Sequence, residues 1–259
     1  MTVVEGAGVV VTGGGNGIGR ALARRLATGG ARVVVNDLDA DAADAVAREI
    51  GGVAVPGDAA GEQGVRDLIA AARAELGEID IYCANAGIGE GTGPDTPDET
   101  WQRSWEVNVM AHVRASRELI PAWLERGTGR FVVTASAAGL LTMLGSAPYS
   151  ATKHAAVAYA EWLAATYGHR GIAVHCICPQ GVRTRMLAET GSAGDVVLQD
   201  TAIEPEQVAD ALWDGMSEGR FLILPHAEVH DYYALRATDP DKWLRGMRKL
   251  QQRIEGSTG

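Results

Sequence analysis

Tyr149 and Lys153 lie four residues apart in Tyr-Ser-Ala-Thr-Lys, within a stretch that reads as a helix. That spacing is about one helical turn, so phenol and ammonium share a face. A cation held beside a phenol favours the phenolate and lowers a pKa that is ordinarily about 10, giving a general base usable near neutral pH. Tyr-x-x-x-Lys also arises by chance in helices, where the tyrosine packs on the core and the lysine is solvated. The pair gains meaning from Ser136, thirteen residues before Tyr149, and from a glycine-rich turn near the start of the chain.

That turn reads Thr12-Gly-Gly-Gly-Asn-Gly-Ile-Gly19 and joins an apolar strand pattern to a helix beginning Arg20-Ala-Leu-Ala. Glycine suits a chain that must bend sharply or approach a ligand closely. The N–H groups and positive dipole end of the following helix suit a pyrophosphate. The next strand ends at Asp37 in Val-Val-Val-Asn-Asp-Leu-Asp. A carboxylate there can accept hydrogen bonds from the two adenosine-ribose hydroxyls and repels a 2′-phosphate. No Arg or Lys stands inside the turn, where Asn16 sits, or directly after Asp37, so NAD is expected rather than NADP. The alternative is that Asp37 only caps the helix starting near Asp39.

Positioning these residues requires strands that alternate with helices. β-Branched runs at Gly8–Thr12, Arg32–Asn36, Gly52–Val55, Ile79–Ala84, Arg130–Thr134, Ile172–Cys178 and Phe221–Leu224 predict strands. Alanine-rich periodic stretches predict helices near Gly17–Thr28, Ala40–Ile50, Glu62–Leu76, Thr100–Arg126, Pro148–Tyr167 and Pro205–Ser217. Unbroken apolar strands between helices imply a parallel sheet buried on both faces. The expected fold is α/β: one Rossmann-like, doubly wound domain over residues 1–259, with about seven parallel strands and ligands at their carboxyl ends.

With 259 residues, 46% of them apolar, the chain can build a substantial core. The 23 basic and 33 acidic residues give a net charge of −10, which disfavours nucleic acid and anionic membranes as partners. No apolar run reaches the roughly 20 residues of a bilayer span, and Met-Thr-Val-Val-Glu-Gly-Ala-Gly does not read as a secretory signal, so the expected location is the cytoplasm. Cys83, Cys176 and Cys178 fall in strand-like runs and are expected to be reduced, buried thiols. Cys176 and Cys178 are expected on opposite faces of their strand, poorly placed to share a metal. His226 and His230 flank His-Ala-Glu-Val-His, which lacks the order of the zinc-protease motif and reads as ordinary polar residues after a strand. No metal is expected.

Taken together, the motifs resemble those of the short-chain dehydrogenase/reductase family over roughly residues 5–225. Thr12, Gly13, Gly17 and Gly19 match its glycine turn, Asp58 its acid after the third strand, and Asn85-Ala86-Gly87 its turn after the fourth. Asn108 matches its helical asparagine, Ser136 its serine, and Tyr149 and Lys153 its Tyr-x-x-x-Lys. The resemblance implies reversible transfer of a hydride between a secondary alcohol and NAD, with Asn108, Ser136, Tyr149 and Lys153 as the catalytic set. Tyr149 serves as general acid/base. Lys153 lowers its pKa and binds the nicotinamide ribose, Ser136 holds the substrate oxygen, and Asn108 seats a relay water. Cofactor contacts are expected from Gly13, Asn16, Gly17, Ile18, Gly19, Asp37, Asp58, Ala59, Asn85, Ala86, Gly87, Tyr149, Lys153, Pro179, Gly181, Val182 and Thr184. One departure stands at Gln180, where the family pattern Pro-Gly-x-Val-x-Thr has glycine; a turn of Gln180 toward the substrate is one expectation.

Leu140, Leu141, Met143, Met186 and Leu187 are candidate apolar walls for a fairly hydrophobic alcohol or ketone, and the resemblance implies a substrate loop near residues 185–203, where the residues alone would fit a plain surface loop. From Ala155 to Ala165 only Glu161 is charged, which predicts a helix covered on both sides; the family resemblance implies that the second cover is a partner subunit, in a homo-oligomer, tetramer or dimer, built on this helix and the Thr100–Arg126 helix. His154, directly after Lys153, receives no catalytic role. A tail helix near residues 239–254 is expected to dock Trp243, Met247, Leu250 and Ile254 and to expose Lys242, Arg245, Arg248, Lys249 and Arg253. Two other functions fit the same motifs: a non-catalytic NAD sensor or scaffold, and an NAD-using epimerase or dehydratase.

Overall fold

The runs Val9–Val11 and Val33–Val35 are fully buried, as β-branched residues enclosed on both sides of a sheet should be. The computed structural model describes residues 4–189, 198 and 201–257. In chain order its elements are β1 (Gly8–Thr12), α1 (Gly17–Thr28), β2 (Arg32–Asn36), α2 (Ala40–Ile50), β3 (Val53–Ala54), α3 (Glu62–Leu76), β4 (Ile81–Ala84) and α4 (Asp98–Trp105). A π-helical turn, Glu106–Met110, leads into α5 (Ala111–Arg126), β5 (Gly129–Thr134), α6 (Ala138–Leu141), α7 (Ala147–Tyr167) and β6 (Ile172–Ile177). There follow α8 (Arg185–Ala188), α9 (Pro205–Ser217), β7 (Leu222–Ile223), α10 (Glu228–Thr238) and α11 (Pro240–Ser257).

The seven strands form one sheet in the order β3-β2-β1-β4-β5-β6-β7. Every pair is parallel, and β1 runs beside β2 from Gly8 opposite Arg32 to Thr12 opposite Asn36. Strand order reverses between β1 and β4, which opens a crevice at their carboxyl ends. Alternate strand residues feed two apolar layers. Val10, Val34, Tyr82, Phe131 and Val133 pack with residues of α3, α5 and α7 on one face; Val9, Val11, Val35, Ile81 and Ile177 pack with α1, α2 and α9 on the other. The predicted doubly wound α/β fold is therefore present.

The Thr100–Arg126 helix differs from expectation. It begins at Asp98 and is interrupted by the π turn, which contains Asn108. The Asn108 amide explains the wider turn, since it donates to Ile88 O (2.9 Å) and to Thr152 Oγ1 (3.0 Å), while its Oδ1 accepts from Ile88 N (3.0 Å). α10 was not expected either. In α11, Trp243, Met247 and Leu250 are half-buried, Ile254 is buried, and Tyr232 of α10 lies 6.3 Å from Trp243. Lys242, Arg245, Arg248, Lys249 and Arg253 are exposed, as the tail pattern predicted.

Cys176 and Cys178 correct their expectation. Their Sγ atoms lie 3.9 Å apart in the same apolar layer. Residues two apart along a strand share a face, so the pair is adjacent rather than opposed. Both are free thiols, as is Cys83.

Candidate active site

The glycine turn is shaped by close backbone contacts. A Cβ on Gly19 would stand 2.0 Å from Gly13 O, and one on Gly13, at φ 61°, would stand 3.0 Å from Ala86 Cα. Asn85 ties the two turns together, with Nδ2 donating to Thr12 O (3.0 Å) and Gly13 O (3.3 Å). Thr12 Oγ1 accepts from the backbone N–H groups of Asn85 and Ala86, both at 3.0 Å. Asn16 stands in extended geometry at the start of α1 and its side chain makes no capping bond. A cavity of about 640 Å³ lies between Asn16–Gly17 and Thr184, with Arg20 and Arg183 on its lining. A Cβ on Gly17 would come within 3.0 Å of Thr184 Cγ2, so Thr184 flanks the turn.

Asp37 accepts from Gly15 N at 2.9 Å and from Asp39 N at 3.1 Å. The cap of α2 is Asp39, whose carboxylate accepts from Ala42 N at 3.1 Å, so Asp37 is not spent on capping. Asp58 accepts from Ala60 N (2.8 Å) and Gly61 N (2.9 Å) and so shapes the entry to α3 beside Ala59.

Four of the predicted residues converge where these turns meet α7. A Cβ on Gly87 would lie 3.2 Å from Asn108 Oδ1 and 3.3 Å from Lys153 Nζ. Lys153 Nζ donates to Thr134 O at 2.9 Å and stands 5.6 Å from the centre of the Tyr149 ring. Ser136 Oγ accepts from Ala138 N (3.0 Å), donates weakly to Pro179 O (3.4 Å) and is close enough to the Tyr149 hydroxyl to lower its pKa. Gly89 lies between Tyr149 and Met186: its Cβ would be 3.7 Å from Tyr149 Cδ2 and 3.8 Å from Met186 Sδ. Leu140 and Leu141 are buried in the core, whereas Met143 is partly accessible and Met186 exposed.

The electrostatics depart from the expected lowering of the tyrosine pKa. Burial pushes the Tyr149 phenol up, partly opposed by the Ser136 hydrogen bond. Lys153 is itself pushed down to about 8 by burial. Both charged forms lose water on burial, which disfavours each. One turn beyond Asn108, His112 is buried with neither ring nitrogen partnered among the described residues, and burial followed by repulsion from Lys153 lowers it to about 3. That ring is neutral at physiological pH.

The loop after β6 is held from several sides. Pro179 O accepts from Ala137 N (2.8 Å), and Val182 forms an isolated parallel bridge with Ile203. Gln180 turns its Nε2 to Thr201 Oγ1 at 3.4 Å. His226, at the entry to α10, reaches the same loop, and His154 contacts Arg236 at the end of α10. Sequence reasoning gave neither histidine a task; the signal available was their polarity within otherwise apolar surroundings. Of the expected substrate loop, residues 190–197 and 199–200 lie outside the described residues. Among the described residues no helix is long and apolar enough to cross a membrane, and no group of three or more His, Cys, Asp or Glu is placed to hold a metal ion.

Residues 7–194 match the family model described as short chain dehydrogenase. The chain is 36% identical over 247 residues to 1-deoxy-11-beta-hydroxypentalenate dehydrogenase of Streptomyces exfoliatus, covering 90% of this chain and 87% of that one. It is 38% identical over 192 residues to 2,5-dichloro-2,5-cyclohexadiene-1,4-diol dehydrogenase of Sphingobium indicum, covering 72% and 77% respectively. A short-chain dehydrogenase/reductase from Burkholderia phymatum, solved in complex with NAD, superposes with a TM-score of 0.86 at 26% identity, covering 93% of this chain and 96% of that one.

Proposed function

Because the chain belongs to the short-chain dehydrogenase/reductase family, we propose that this oxidoreductase interconverts a fairly apolar cyclic secondary alcohol and its ketone with NAD, using Tyr149 as general acid/base. The observation that carries the proposal is the convergence of Ser136, Tyr149, Lys153 and Asn108 beside the glycine turn. The residues present fit the cofactor. The N-terminus of α1 is free of a side-chain cap and borders a cavity, Asp37 stands at the end of β2, and Lys153 supplies a buried cation.

When bound, the nicotinamide would supply the redox chemistry, as hydride acceptor in its oxidised form and hydride donor in its reduced form. Gly13, Gly17, Ile18 and Gly19 would cradle the pyrophosphate, and Asp37 would take the adenosine-ribose hydroxyls. Asp58 and Ala59 would border the adenine. Asn85, Ala86, Gly87, Pro179, Gly181, Val182 and Thr184 would line the nicotinamide half. The Tyr149 oxygen takes the hydroxyl proton in oxidation and gives it back in reduction. Ser136 donates to the substrate oxygen and fixes its approach. Lys153 stabilises the phenolate and binds the nicotinamide ribose. Asn108 holds the π turn against Ile88 and Thr152 and seats the relay water beside Lys153.

Met143 and Met186 offer adaptable apolar contact near Tyr149, which suits a ring-shaped substrate. The named relatives, a hydroxypentalenate and a cyclohexadiene-diol dehydrogenase, act on alcohols of that shape. A panel of cyclic secondary alcohols, followed by NADH absorbance, tests the assignment. Turnover is expected with NAD, and at least about tenfold less with NADP because Asp37 repels its extra phosphate. No NADH formation with any member overturns it.

A homo-oligomer, tetramer or dimer, completes the proposal. Trp162 on α7 is 52% exposed and Trp105 at the end of α4 is 45% exposed, apolar surface that a partner subunit would cover. Tyr159 stacks on Trp162 and Tyr167 meets it edge-on, which gives the patch a rigid aromatic surface. Light scattering should return a multiple of the 27.2 kDa chain; a monomer overturns the assembly. The adjacent but unjoined thiols of Cys176 and Cys178 suit the reducing cytoplasm.

A further inference from the structure

α10 joins two parts of the site that the sheet alone leaves independent. At its entry, His226 is buried at 4% exposure. Its Nδ1 accepts from Gln180 N at 3.1 Å, which leaves Nε2 to carry the proton and donate to Gly181 O at 3.0 Å. A single neutral imidazole tautomer thus satisfies one donor and one acceptor of the loop that carries Val182 and Thr184. Gly181 O also accepts from Ile203 N at 3.0 Å, so the histidine completes a carbonyl held from two directions. This matters because Gln180 stands where a glycine would let the backbone move freely.

At the far end of α10, Arg236 Nη1 donates to Leu140 O and to His154 Nε2, the latter at 2.9 Å. His154 then carries its proton on Nδ1 and donates to Ser150 O at 2.8 Å. Leu140 belongs to α6, which follows Ser136, and Ser150 and His154 flank the Tyr149–Lys153 face of α7.

We propose that α10 is a brace, in which His226 is the positioning residue for the nicotinamide-side loop and Arg236 the positioning residue for the elements carrying Ser136 and Tyr149. The inference rests on the cofactor and base assignments above, and its test separates from theirs. Three variants suffice: His226→Phe keeps ring bulk without polar atoms, His226→Gln keeps one acceptor and one donor, and Arg236→Met keeps the apolar stem.

In the chain without nucleotide, His226→Phe should speed amide hydrogen exchange in residues 180–184 at least about tenfold, and should raise the NAD dissociation constant about tenfold, the scale of losing one to two hydrogen bonds. His226→Gln should bring both within about threefold of the parent. Arg236→Met should lower kcat/KM for the alcohol about tenfold while leaving NAD affinity within about twofold. In the unmutated chain, imidazole nitrogen shifts should report the Nε2–H tautomer at His226.

Unchanged exchange and affinity in His226→Phe overturn the brace, as does equal damage in the Phe and Gln variants, because bulk alone would then matter. A parent-like Arg236→Met removes its second end. An Nδ1–H tautomer at His226 refutes the clamp even if the Phe variant does not fold. Should the parent bind NAD yet oxidise no alcohol, the assigned chemistry falls, while exchange and NAD titration still decide the role of His226.

Discussion

Tyr149→Phe should lose turnover by at least about 10²–10⁴-fold, the range expected when a general acid/base is removed, with NAD affinity unchanged within about threefold. The substitution deletes one oxygen and keeps the ring that packs beside Gly89 and Met186, so the fold and the nucleotide cleft survive. The remaining groups cannot substitute. Ser136 is an alcohol already engaged with Ala138 N and Pro179 O, and Lys153 Nζ is committed to Thr134 O. The damage belongs in kcat, because the phenol acts on the proton that moves in the transition state and not on ground-state binding. Measuring kcat, KM and NAD binding on the same preparation separates these possibilities. A variant that retains more than about a tenth of parental kcat removes Tyr149 from the chemistry.

Much of this site was legible because short motifs carry their own mechanics. Asn85 recognises Thr12 O and Gly13 O through a side chain whose reach is fixed, so Asn-Ala-Gly after a strand already implies two turns tied together. The runs Val9–Val11 and Val33–Val35 are long enough that burial on both faces follows from composition. The edge strands β3 and β7 are two residues each, shorter than their apolar patterns, because an edge has only one neighbour to extend its ladder.

The π turn was illegible for a different reason. Glu-Val-Asn-Val-Met satisfies a helical period, and only the contacts of Asn108 with Ile88 and Thr152 widen it. α10 escaped notice because its weak amphipathic pattern leaves Tyr232 and Tyr233 exposed and buries little beyond Val229. The pKa of Tyr149 could not be read from spacing either. Four residues place Lys153 on the same face, but desolvation depends on what covers that face, and the covering turns arrive from Gly87 and Gly89 far away in sequence.

Lys153→Met should produce an enzyme that is less active yet no less stable. Burial holds the Lys153 ammonium at a pKa of about 8 against an ordinary 10.5, which corresponds to a cost of about 3 kcal/mol at neutral pH for keeping the charge inside. Methionine fills similar volume without that cost, and the lost hydrogen bond to Thr134 O returns about 1 kcal/mol. The net gain of about 2 kcal/mol predicts a melting temperature higher by about 4–8 °C for a chain of this size.

The pH dependence follows in sign. Between about pH 8 and 10.5 the unfolded chain retains a proton that the folded chain has released, so stability from this group rises with pH through that window and is lowest below it. The methionine variant should lack that rise. Catalysis moves the opposite way: without the ammonium only the Ser136 hydrogen bond opposes the burial that pushes the Tyr149 phenol up, and turnover should fall about 10²–10⁴-fold. Thermal unfolding of both proteins across pH 7–10, alongside kcat, decides the matter. A variant that melts well below its parent at neutral pH would show that Lys153 is a stabilising contact, and not a strained charge retained for the proton chemistry of its neighbour.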